Sequence, residues 1–141
     1  MGITPPDPDK TMQNGYGFGK AVALPFDQAL ARTTEELAKQ GFGVLADIDV
    51  AATMKKKLDL DLPPYRILGA CNPPFAAKAL AAEASIGLLM PCNVVVRQDA
   101  AGRVHVEFMD PQPLFGLIGR AEILPLATEV RARLLKVMDA L

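Results

Sequence analysis

The side chains in this chain that could carry chemistry are few, and most of them surround two cysteines. Cys71 stands in Gly69-Ala70-Cys71-Asn72-Pro73-Pro74, and Cys92 in Met90-Pro91-Cys92-Asn93. Each cysteine is followed by Asn and falls where a strand passes into a loop. Cys71 directly precedes a helix inferred to be capped by Asn72 and to begin at Pro73. Backbone N–H groups and the positive helix end would favour a thiolate there. Three chemistries fit the residue types. Cys71 could be a nucleophile with Cys92 as its resolving or sulfur-accepting partner. Two thiolates joined by His105, Met90 or Met109 could hold copper(I) or zinc. Free cysteines can also be small buried hydrophobes and nothing more. No Cys-x-x-Cys pair is present, so spacing does not choose among these.

The remaining polar candidates are weaker. His105 is the sole histidine and falls on the outward side of a strand, where surface or interface duty is usual. Asp110-Pro111 ends that strand, and Asp110 could be a cap, a turn residue or a ligand, with the turn favoured. Asp47 and Asp49 flank a strand end, with Asp49 placed to cap a helix, so they make no general acid–base pair. Gly15-Tyr16-Gly17-Phe18-Gly19-Lys20 mimics a phosphate loop. The positions where a nucleotide motif needs Gly and then Ser or Thr hold Asn14 and Ala21, so close backbone packing is the better account. The candidate ligand-binding set is therefore Cys71, Asn72, Cys92, Asn93 and Asp110, the candidate metal set Cys71, Cys92 and His105, and the candidate catalytic residue Cys71.

The elements that must position them follow from periodicity. Strands are expected from Tyr16 to Leu24, Phe42 to Ile48 and Tyr65 to Ala70, with Ile86 to Met90 a short apolar run. A hairpin joins Asn93–Gln98 to Arg103–Met109 across Asp99-Ala100-Ala101-Gly102. Within it Val104, Val106 and Phe108 alternate with His105, Glu107 and Met109, which marks one buried face. The spacing of Phe26, Leu30, Thr33 and Leu37 predicts a helix to Gln40 with Glu36 facing water and Gly41 as its left-handed cap. Asp49 caps a helix over Val50–Leu58. The helix after Asn72 would bury Phe75, Ala76, Ala79 and Leu80, and a long amphipathic helix runs from Leu124 to Leu141. The strict βαβ rhythm breaks at the hairpin, which favours an α+β class: a two-layer, mostly antiparallel sheet with helices on one face.

Composition sets the bounds. At 141 residues with 50% apolar and 22% charged side chains, the chain suits one domain, 15–141, behind a proline-rich flexible tail, 1–14. A core of that size needs neither metal nor disulfide for stability. Fifteen basic and sixteen acidic residues give a net charge of −1, and no basic stripe is present, which argues against nucleic acid as a partner. Lys55-Lys56-Lys57 reads as a solvated helix end. With neither an export signal nor an apolar run long enough to cross a bilayer, a cytoplasmic protein with reduced thiols and no membrane partner is expected.

Longer stretches carry a likeness. Gly41-Phe42-Gly43-Val44-Leu45, Pro64-Tyr65-Arg66-Ile67-Leu68-Gly69-Ala70-Cys71-Asn72-Pro73, Ile86 through Val96, and Phe108-Met109-Asp110-Pro111 together resemble the bacterial and archaeal family called domain of unknown function 302. The resemblance spans roughly Tyr16 to Leu141, and its signature falls on Cys71, Asn72, Pro73, Pro91, Cys92, Asn93, Asp110 and Pro111. It implies an antiparallel sheet backed by helices, in the manner of TATA-binding-protein-like folds, and a homodimer. It implies no activity. The expectation that results is a homodimeric module binding a small molecule or a soft metal (copper or zinc) around Cys71 and Cys92. The alternatives are a thiol enzyme or sulfur carrier acting through Cys71, and a structural or assembly role.

Overall fold

Alternation of apolar and polar residues decides the sheet. In a computed structural model, which describes residues 11–141, six strands form one antiparallel sheet in the order β1-β2-β6-β5-β4-β3. They are β1 (Thr11–Gln13), β2 (Gly17–Val22), β3 (Gly43–Asp49), β4 (Tyr65–Cys71), β5 (Cys92–Gln98) and β6 (Val104–Met109). Val104, Val106 and Phe108 are buried, as their alternation predicts, and so are Val94 and Val96 on the paired strand. Phe18 on β2 pairs with Phe108 on β6, their rings stacked with centroids 5.7 Å apart. The first ten residues of the expected tail lie outside the described residues. Thr11–Gln13 belongs to the sheet, pairing with Phe18–Lys20, so the ordered domain begins earlier than position 15.

The helices cover one face of this sheet. They are α1 (Phe26–Lys39), α2 (Val50–Leu58), α3 (Pro73–Ala82), α4 (Pro111–Gly116) and α5 (Leu124–Asp139), with a short 3-10 helix over Ala84–Leu89. Ala29 and Leu37 of α1 and Val130, Leu134 and Val137 of α5 close the main core over Leu68, Ala70, Cys92 and the buried valines. A second cluster gathers Ala79, Ile86, Phe115, Ile123 and Ala127. Among the described residues, no helix is long and apolar enough to cross a membrane.

Local signals explain most boundaries. Gly41 adopts φ +84°, which an L-residue resists. Asp49 caps α2 by accepting from the Ala52 amide at 2.9 Å. A Cβ at Gly17 would stand 2.8 Å from the Phe108 carbonyl oxygen, and one at Gly19 only 2.5 Å from that of Val106. Close strand packing thus accounts for the glycine-rich entry.

Three expectations are corrected. Glu36 is buried rather than solvated, because it accepts from Arg32 at 3.2 Å and Lys39 at 2.9 Å. On α3 only Ala79 is fully buried, and Leu80 is exposed. Asp110 is a cap, the alternative ranked behind the turn: it accepts from the Gln112 amide at 3.0 Å, with Pro111 at the first position of α4.

Candidate functional site

The register of β4 against β5 brings the cysteines together. Ala70 lies opposite Cys92 and Gly69 opposite Asn93, so Cys71 is the neighbour of the residue that faces Cys92. Gly69 makes this approach possible, since a Cβ there would meet the Pro91 ring at 2.9 Å. Both cysteines line one cavity of about 40 Å³, with Phe42, Phe75, Met90 and Phe115 among its walls. The wall is almost wholly apolar side chain. Its volume takes a few water-sized atoms at most, far less than a cofactor-sized pocket.

Burial separates the two thiols. Cys71 is partly exposed and Cys92 is buried. Burial, reinforced by the charge Cys71 would carry, pushes the Cys92 thiol up to about 12. Both cysteines are free thiols.

Asn72 also lines the cavity, but not in the capping role expected of it. Its side chain makes no cap hydrogen bond to α3. Instead Asn72 Nδ2 donates to the Gln40 carbonyl at 3.4 Å, and Arg133 Nη1 donates to the same oxygen at 3.0 Å. The Arg133 guanidinium lies over the Phe75 ring, 5.0 Å from its centroid. The end of α1, the start of α3 and the middle of α5 are thereby tied beside the thiols. Pro73 and Pro74 occupy the first positions of α3, and proline has no N–H to donate. Two of the amides imagined as supporting a Cys71 thiolate are therefore missing.

The other predicted site residues lie elsewhere. Asn93 is on the opposite side of the sheet, in hollows shared with Met109 and Leu114. Asp110 is buried and serves structure, accepting from Arg131 Nε at 3.1 Å as well as capping α4. His105 sits level with Arg97, five positions along β5 from Cys92, or about 17 Å at the usual rise. It faces away from the core and hydrogen-bonds Asp99 Oδ2 at 2.8 Å. The Cys71, Cys92 and His105 set is thus not assembled within one chain. Among the described residues, no three His, Cys, Asp or Glu side chains are grouped to hold a metal ion. Met90 does share the cavity, so both cysteines and one methionine are among the residues that line it. Sequence reasoning missed Phe115 on α4, although the Asp110-Pro111 pair carries the cap-then-proline signal of a helix start.

An antiparallel α+β fold, a six-stranded sheet packed with helices, defines the class of protein. Residues 18–141 match the family described as "Domain of unknown function DUF302", and the chain belongs to that family. Among solved structures it is similar to the "uncharacterized conserved protein DUF302 from Bacillus stearothermophilus". The TM-score is 0.81 at 29% identity, covering 88% of this chain and 96% of that one. No curated protein matches the chain.

Proposed function

We propose that the protein is a soft-metal binding module whose site is the cavity between Cys71, Cys92 and Met90. The observation that carries this reading is that these three sulfur-bearing residues line one small apolar space. Of the two occupants expected from the sequence, a small molecule and a metal, the volume favours an ion without its hydration shell. Thiolate and thioether donors in a dry site suit copper(I), whereas zinc wants four ligands and favours nitrogen and oxygen as well as sulfur. A metal bound here displaces the Cys92 proton, so uptake releases protons and strengthens with pH. The homodimer implied by the family likeness is part of the same proposal.

A nucleophilic role for Cys71 has less support, because the two prolines take away amide donors and a Cys92 thiol pushed up to about 12 is a poor attacking partner at neutral pH. Anaerobic native mass spectrometry of the reduced protein with one equivalent of copper(I) tests the reading and reports oligomeric state together. Copper retained by the wild type and lost in Cys71→Ser is expected. Equal retention by wild type and Cys71→Ser, or none by either, overturns it.

A further inference from the structure

The thiol cavity does not end at Met90. A second hollow of about 240 Å³ lies beyond it, lined by Leu88, Leu89, Asn93, Met109 and Leu114, and it shares Met90 and Pro91 with the cavity. That hollow in turn shares Asn93, Met109 and Leu114 with a groove of about 520 Å³ on the side of the sheet away from the core helices. Met12, about one-third exposed, lines the same groove. Each pair of neighbouring spaces has a methionine among its shared lining residues: Met109 for groove and hollow, Met90 for hollow and cavity. Methionine is a common filler of irregular cores, and a filler needs no particular order. Here methionines recur among the lining residues from the open groove to the cavity that both cysteines line.

We propose that this series is the entry route of the metal: copper(I) passes from the groove by way of the Met109 thioether to that of Met90, and from there to the Cys71 and Cys92 sulfurs. The inference rests on the soft-metal reading of the cavity. Thioethers are neutral, soft and weakly binding donors, which suits them to hold copper(I) transiently and to yield it to thiolates. Each transfer is a ligand exchange with no change of oxidation state. The soluble chelate that delivers the ion keeps its own ligand, and the thiol protons are released to water as the thiolates bind.

The experiment is anaerobic stopped-flow loading from the copper(I)–bicinchoninate complex, followed by loss of its colour. Met109→Leu keeps the volume and apolar character of the side chain. It is expected to slow loading severalfold, while the amount of copper bound at the end is unchanged. Met90→Leu should slow loading and also lower retention against the chelator. Met54→Leu, on α2 and outside all three spaces, should behave as wild type. A Met109→Leu rate equal to that of wild type overturns the route, even if copper still binds. Failure of the wild type to load overturns the site itself and the route with it. A second measurement needs no variant: with methionine methyl groups labelled in the wild type, silver(I) should shift the Met90 and Met109 signals and leave Met54 in place. Unmoved Met90 and Met109 signals overturn the proposal.

Discussion

Cys92 is a titratable residue on which burial acts strongly. Its raised thiol value means that the folded state holds the proton more tightly than the unfolded chain does, where a cysteine titrates near 8.5. The resulting stability is therefore complete below about pH 8.5 and is lost as pH rises toward 12. Over that window the wild type should lose about 1.4 kcal/mol per pH unit more than Cys92→Ala. Urea unfolding of both proteins between pH 8 and 10.5 checks this, and parallel slopes would show that burial does not hold the proton. Asp110 gives the opposite test. It reads from sequence as a ligand candidate, yet its carboxylate is consumed by the α4 cap and by Arg131, which also lies over Phe18 at 5.5 Å. Asp110→Ala should cost about 2 kcal/mol, a lost cap plus a stranded guanidinium. Copper retention by the folded variant should not change.

Elements set where such residues can go. The turn from α1 into β3 depends on Gly41, whose positive φ admits Asn72 Nδ2 within 3.0 Å of where a Cβ would be. Gly41→Ala combines backbone strain with that contact and should destabilise by about 1–2 kcal/mol. It should also loosen the tie between Gln40, Asn72 and Arg133, which thermal unfolding and copper retention would report together. Much of this framework was legible in the sequence. The hairpin, the α2 cap and the Gly41 turn each rest on local rules that act over a few residues. What could not be read was decided by contacts far apart in the chain. Glu36 looks solvated on a helical wheel, but Arg32 and Lys39 compensate its charge and let the helix pack over it. His105 and Cys92 sit on neighbouring strands, so only the register reveals that they lie near opposite ends and on opposite faces. The pairing of Cys71 with Cys92 depends on the β4–β5 register in the same way.

At the scale of the whole molecule, the cavity lies where two cores meet. Phe42, Ala70, Cys92 and Val130 belong to the main cluster between sheet and helices, whereas Ala79, Phe115, Met90 and Leu126 belong to or pack on the second. The second cluster has fewer fully buried members than the first, so it should open more readily. A metal held by Cys71 and Cys92 on the sheet and by Met90 after the 3-10 helix would join them. Any ligand that binds only the folded state adds RT ln(1 + [L]/Kd), about 4 kcal/mol at a thousandfold excess over Kd. The gain should also be uneven. Amide hydrogen exchange without metal should show the segments around Ile86, Phe115 and Ile123 exchanging faster than the central strands β5 and β6. One equivalent of copper(I) should slow exchange in those segments most, with the effect absent in Cys71→Ser. Uniform slowing across the sheet and both clusters would mean that the metal stabilises the fold only by mass action. Slowing confined to the second cluster would mean that the site works as a clasp, with occupancy reported at the surface by the packing of α4 against α5.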